Sequence, residues 1–177
     1  MKCLKCDNRA KIPFPNGNLC PTCFLDVLVN RIKRYTRLNP LRKNDGVLVH
    51  GKLAYYFLKK AVGDLPLKIT VKNKINKIKN YMRYDKIIIP STADDFAHHF
   101  YLELIKKRPK FEENRKIIRI FKTILDEELK KAAKILKMKF EPSIKNKEFM
   151  KIKKRYPELV FGMIKAADEI QKTLKVR

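Results

Sequence analysis

Four cysteines fall within the first 23 residues, spaced as Cys3-x2-Cys6, a gap of 13 residues, and Cys20-x2-Cys23. Each Cys-x2-Cys bends into a knuckle, and the loop between folds one knuckle onto the other. That is the ligand spacing of a tetrahedral structural zinc site. Two disulfides are the alternative use of four cysteines. The start, Met1-Lys2-Cys3, has no apolar h-region of a secretory leader, so the expected compartment is the cytoplasm, where thiols stay reduced. Four unrelated core cysteines would not crowd into one end of the chain. The expected cofactor is one zinc, held by Cys3, Cys6, Cys20 and Cys23.

At 177 residues the chain has room for one ordinary core and a small appendage. Its 45% hydrophobic content supports a packed globule, and no apolar run approaches the roughly 20 residues that cross a bilayer. Lysine and arginine outnumber the acids 43 to 18, a net charge of +25. Such an excess reads as a nucleic-acid footprint first and an anionic-membrane one second. Lysine enrichment in a thermophile is the bland alternative, but there Glu rises with Lys, and here it does not keep pace.

Between the knuckles, Pro13-Phe14-Pro15-Asn16-Gly17-Asn18 predicts a hairpin turn. From Phe24 the pattern becomes helical: Phe24, Leu28, Ile32 and Tyr35 recur near a period of 3.6, with Val27 and Leu38 adding to the stripe and Pro40 ending it. The opposite face and its extension carry Arg31, Lys33, Arg34, Arg37, Arg42 and Lys43, with no acid between Val27 and Asn44. Strands are expected at 47–49, 67–71, 86–90 and 117–121. Helices are expected at 53–62, 73–83, from Ser91 or Thr92 to about 107 (Phe96, Phe100, Tyr101 and Leu104 inward), 127–138, 146–155 and 157–174. The last has Pro157 at its first position and Val160, Met163, Ile164, Ala167 and Ile170 on one face. Alternating strands and helices imply an α/β fold: a small Rossmann-like, doubly wound parallel sheet of about four strands. The expected division is a zinc ribbon over 1–24, a basic helix and linker over 25–43, the α/β domain over 44–124, and C-terminal helices over 125–177.

Four stretches, in order, carry a family resemblance: Cys3-x2-Cys6 through Asn18-Leu19-Cys20-x2-Cys23-Phe24, then Val47-Leu48-Val49-His50-Gly51-Lys52-Leu53-Ala54. Ile87-Ile88-Ile89-Pro90-Ser91-Thr92-Ala93-Asp94-Asp95-Phe96-Ala97 and Arg155-Tyr156-Pro157-Glu158-Leu159-Val160-Phe161 follow. They are similar to the zinc finger, the strand-SGGxDS loop, the strand-TGHxxDD segment and the YP-x-x-x-F of the N-type ATP pyrophosphatases (PP-loop enzymes) that thiolate tRNA. The resemblance is to the TtuA/NcsA type and to the subunits of the eukaryotic wobble-uridine thiolase.

The departures bear on function. A PP-loop needs two glycines for close backbone approach to pyrophosphate and serines that hydrogen-bond it at a helix N-terminus. Aligned across Gly51-Lys52, its serines become Val49 and Ala54, its first glycine His50 and its aspartate Leu53. The family's sulfur chemistry uses further cysteines in the sheet domain, as persulfide carriers or iron–sulfur ligands, and this chain has none after Cys23. The second, C-terminal zinc finger of the family is also missing. The resemblance therefore implies a degenerate, noncatalytic member: a tRNA-binding or scaffolding partner of a catalytic PP-loop paralogue, as in the eukaryotic thiolase. The alternatives are a free-standing zinc-ribbon nucleic-acid-binding protein of transcription type, and an active ATP-dependent thiolase with an unconventional nucleotide site.

His50, Gly51, Lys52, Asp94 and Asp95 make up the degenerate nucleotide loop. For Asp94 and Asp95, magnesium or ribose contact competes with the simpler role of complementing a helix dipole, which is the favoured reading. The arginines and lysines of 31–43 are candidate phosphate contacts for tRNA, against a solvated helix face. Leu53-Ala54-Tyr55-Tyr56-Phe57-Leu58 is a candidate contact for a protein partner, but its Tyr55, Tyr56 and Phe57 are read rather as filling the vacated nucleotide pocket from within. His98 and His99 are read as surface or packing histidines.

Overall fold

The computed structural model describes residues 1–73, 81, 83–106, 114 and 116–175. The helix expected over 73–83 falls almost wholly outside them. Near the N-terminus, β1 (Ile12–Phe14) pairs antiparallel with β2 (Gly17–Leu19). The turn works because Asn16 adopts a left-handed φ of 69° and Gly17 a φ of 147°, both costly for ordinary L side chains. A Cβ at Gly17 would also meet Leu4 Cδ2 at 2.8 Å.

Helix α1 (Pro21–Leu38) starts from Cys20, whose sulfur accepts the Cys23 amide as an N-cap, with Pro21 in the first turn. Its expected core stripe is buried at Phe24, Leu28 and Ile32. Leu38 is not part of it: at 81% exposure it lies on the last turn, next to Asn39 and Pro40 where the chain leaves the helix.

Four parallel strands follow: β3 (Gly46–His50), β4 (Lys68–Lys72), β5 (Lys86–Thr92) and β6 (Ile117–Phe121), in the order β4-β3-β5-β6. They match the expected strands to within two residues at each end. Two neighbours flank β3 in register, Val47 opposite Ile69 and Leu48 opposite Ile87. Val47, Leu48, Val49, Ile87, Ile88 and Ile118 are all fully buried, as both faces of a parallel sheet covered by helices require.

Helices α2 (Lys52–Val62) and α4 (Asp126–Ile135) share one core with α1 and the sheet. Helices α3 (Ala93–Ile105), α5 (Lys147–Arg155) and α6 (Leu159–Lys175) make two smaller clusters, Ala93, Ala97, Phe149 and Val160, and Phe96, Phe100 and Ala167. The last helix begins two residues later than expected. Pro157 lies in the turn ahead of it, where Leu159 N and Gly162 N already bond back to Tyr156 and Glu158 carbonyls. Leu104 and Ile170, expected inward, are 46% and 36% exposed; Leu104 is the next-to-last residue of α3, whereas Ile170 lies within α6 beside the buried Gln171. Cys3, Ala10, Leu19 and Cys20 belong to the same core cluster as Phe24 and the sheet, so the cysteine module is continuous with the α/β core. No helix among the described residues is long and apolar enough to cross a membrane.

Candidate functional site

The four cysteine sulfurs converge at one end of the hairpin. All lie within 4.8 Å of one another, with Cys6 Sγ 3.6 Å from Cys20 Sγ and 3.5 Å from Cys23 Sγ. A tetrahedron of sulfurs around one metal with 2.3 Å bonds has edges of about 3.8 Å, so the donor set fits one tetrahedral ion. A four-iron cluster puts each thiolate on a separate iron and needs wider spacing. Backbone amides prepare the sulfurs. Lys5 N and Cys20 N donate to Cys3 Sγ at 3.5 and 3.3 Å, and Cys23 N donates to Cys20 Sγ at 3.4 Å. Burial raises the Cys3 thiol, but the amides of Cys20, Lys5 and Cys6 outweigh it and lower it to about 6. The neighbouring sulfurs of Cys20 and Cys6 push Cys23 upward, since each must share protons with the others until a cation replaces them.

A second centre lies at the carboxyl ends of β3 and β5. The chain leaves β3 toward β4 on one side and returns to β5 on the other, which makes a topological switch point, the usual ligand crevice of an open α/β sheet. A cleft of about 890 Å³ opens there, and His50, Gly51, Lys52, Asn73, Pro90 and Asp95 line it together with Lys137, Lys139, Glu141 and Ser143. Gly51 has φ 85° and open space beside its Cα. No side chain among the described residues caps α2 at this point. His50 Nε2 is 3.0 Å from the Asn73 carbonyl.

The two aspartates part company. Asp95 is the N3 residue of a capping box: its Oδ2 accepts the Thr92 amide at 2.9 Å, while Thr92 Oγ1 accepts the Asp95 amide at 3.2 Å. Its other oxygen accepts from Lys145 Nζ at 2.8 Å and from the Ser143 hydroxyl. Asp94 is fully buried beneath the cleft and does not line it. One of its oxygens accepts the Asp126 amide at 2.8 Å, and the other meets Lys153 Nζ at 2.6 Å.

Lys145 is the hub. Its side chain is 3% exposed, and its ammonium bonds Asp95 at 2.8 Å and Asp126 Oδ2 at 2.6 Å, while Asp126 Oδ1 accepts from Thr92 Oγ1 at 2.7 Å. Burial alone would lower Lys145; its bonds to Asp126 and Asp95 outweigh that and hold it above its ordinary value. Asp95 mirrors it: burial raises the carboxyl, and Lys145, Ser143 and the Thr92 amide bring it below the usual range. Two lysines thus occupy the carboxylates that a divalent cation would otherwise use. Asp126, Ser143, Lys145 and Lys153 were invisible in sequence because no short motif links them.

Of the basic set, Lys33, Arg34, Arg37, Arg42 and Lys43 are exposed. Arg31 stands apart: its Nη1 donates to both oxygens of Glu128 at 2.7 and 2.9 Å, and the guanidinium lies 5.9 Å from the Phe14 ring. In the 53–58 run, Leu53, Ala54, Phe57 and Leu58 are buried, and Phe57 stacks edge-on against Phe121 at 5.5 Å. Tyr55 and Tyr56 are only half-buried. His98 packs 5.1 Å from Phe149 and accepts the Asn146 amide at 3.2 Å, a packing role as expected.

No protein-family model matches the chain. No curated protein matches it. Among solved structures it is similar to the U34-tRNA thiolase NcsA from Methanococcus maripaludis, determined with its [4Fe-4S] cluster. The TM-score is 0.73 at 14% sequence identity, over 97% of this chain and 88% of that one. The chain has the fold of that thiolase from the N-terminal cysteines to the last helix.

Proposed function

We propose that the chain is a noncatalytic, tRNA-binding partner of an active PP-loop thiolase in tRNA wobble-uridine 2-thiolation, with a structural zinc at Cys3, Cys6, Cys20 and Cys23. The observation that carries the reading is the state of the switch-point cleft. Its fold is that of a tRNA thiolase, yet Asp94 and Asp95 are neutralised by Lys153 and Lys145, and no cysteine follows Cys23. Sulfur transfer needs a thiolate or cluster ligand near the reacting base, and this cleft offers none. The exposed cations Lys33, Arg34, Arg37, Arg42 and Lys43 then supply phosphate contacts, and a catalytic paralogue supplies the chemistry. Removing the gene is expected to lower wobble-uridine 2-thiolation, and a PP-loop enzyme is expected to co-purify with the native protein. Unchanged thiolation with no such enzyme in the complex would overturn the proposal.

The size of the cleft favours one second reading, an enzyme with an unconventional nucleotide site. About 890 Å³ falls within the range of small-molecule sites, and Lys52, Lys137 and Lys139 surround it. Calorimetric titration with ATP and magnesium separates the two. The noncatalytic reading expects no binding or weak binding, because Val49, Leu53 and Ala54 replace the side chains that hold phosphate, whereas micromolar affinity would favour the enzyme. A zinc-ribbon regulator has no need of a buried four-stranded sheet.

A further inference from the structure

A second groove, of about 780 Å³, adjoins the switch-point cleft along α2. Tyr55 and Tyr56 form its wall, with Lys52, Lys59 and Lys60 at its rim and Met138 at the junction. Lys52 and Met138 line both the groove and the cleft, so the two are continuous. We propose that this groove is a stacking site for unpaired nucleotides of an RNA strand that runs on into the cleft. The inference rests on the RNA-binding reading above.

Three features support it. Helical spacing puts Lys52, Tyr55, Tyr56, Lys59 and Lys60 on neighbouring turns, one cation before the aromatic pair and two after it, over about 12 Å of axis. Both tyrosines pack partly against the core, and Tyr56 meets the Phe57 ring edge-on at 5.4 Å. Little side-chain freedom is lost when a base stacks on a ring already fixed in place. Asp64 is the single acid among the described residues that line the groove, and the whole chain carries +25. Aromatic faces beside cations suit single strands, whose bases are free to stack while phosphates meet the lysines. A duplex hides its base faces, and a docking protein would meet three lysines against one acid at the groove.

The test uses the full chain, a fluorescein-labelled single-stranded oligouridine and unfractionated tRNA, with affinity measured over a salt series. Replacing Tyr55 and Tyr56 together by Leu keeps apolar bulk and removes the π faces. It is expected to weaken oligouridine binding on the order of tenfold or more with the salt slope unchanged. Replacing Lys52, Lys59 and Lys60 together by Gln is expected to flatten the slope by about 2. The chain has no tryptophan and seven tyrosines, so the part of the tyrosine-fluorescence quenching that is lost in the tyrosine variant reports stacking on Tyr55 and Tyr56. Melting temperatures establish that both variants fold. Parent-like affinity and quenching in the tyrosine variant, with tRNA still bound, would overturn this inference alone. So would a parent dimer that the tyrosine variant dissolves, which would make the groove a self-interface. Failure of the parent to bind either RNA would overturn the RNA-binding reading with it.

Discussion

Arg31 Nη1 donates to both carboxylate oxygens of Glu128, 97 residues away, and so ties α1 to α4. Glu128 Oε2 also accepts the Leu125 amide at 3.0 Å, closing the first turn of α4. The most N-terminal arginine of the basic stretch is thus a structural clamp, while its neighbours face solvent.

That distinction is measurable. Arg31→Ala should lower stability by about 1.5–3 kcal/mol, the usual worth of hydrogen bonds to a charged partner, and leave the salt slope of tRNA binding nearly unchanged. Changing Lys33, Arg34 and Arg37 together to Ala should leave the melting temperature alone and reduce the slope by about 2–3. Identical slopes for parent and triple variant would make this face a solvated one.

Metal analysis of the native protein should find one zinc per chain. Cys20→Ser removes a ligand and the N-cap of α1 together, so it should release the metal. It should also lower the melting temperature, since Cys20 and Leu19 pack in the same core as Phe24. Iron in place of zinc, or a metal-free native protein, would refute the assignment.

Gly17→Ala asks a backbone question at the same module. An alanine must adopt a φ of 147° and push aside Leu4, a cost on the order of 1–3 kcal/mol. Because the hairpin carries the second knuckle, zinc affinity measured by competition with a chelator should fall with it.

The Lys145 hub sets the pH limits of stability. Asp95 and His98 are both held below their ordinary values: Asp95 as described, His98 by burial first and the Lys145 charge second. Their contributions are fully present above the unfolded-state values, about 4 and 6.5, and are lost as pH falls through the folded ones. Lys145 is raised, so its contribution holds below about 10.4 and is lost as pH rises further. The contribution of this cluster should be flat between about 6.5 and 10 and should fall on either side. Lys145→Met leaves Asp95 and Asp126 without their cation, should cost about 3–5 kcal/mol, and should flatten the alkaline limb of unfolding followed by circular dichroism. A full alkaline limb in this variant would mean that another group titrates there.

Strands, helices and the cysteine centre could be read from the chain because the forces behind them are local. Alternation and 3.6-residue spacing repeat within one element, as at Val47–Val49 or Phe24–Ile32, and a knuckle needs ligands only three residues apart. Helix ends were less legible: Leu38 and Leu104 keep the period but outrun the surface that would cover them. Burial there depends on how far a neighbouring element extends. His50, Gly51, Lys52 and Asp95, named from the sequence, line the cleft, but the ion-pair hub behind them lay beyond local reading. Lys145 meets Asp95 and Asp126 across separations of 50 and 19 residues, and Arg31 meets Glu128 across 97. No spacing rule marks which of many lysines will be buried against which acid. Only folding chooses the pairs, because a desolvated charge is tolerated solely where the chain's path brings an opposite charge within hydrogen-bonding distance.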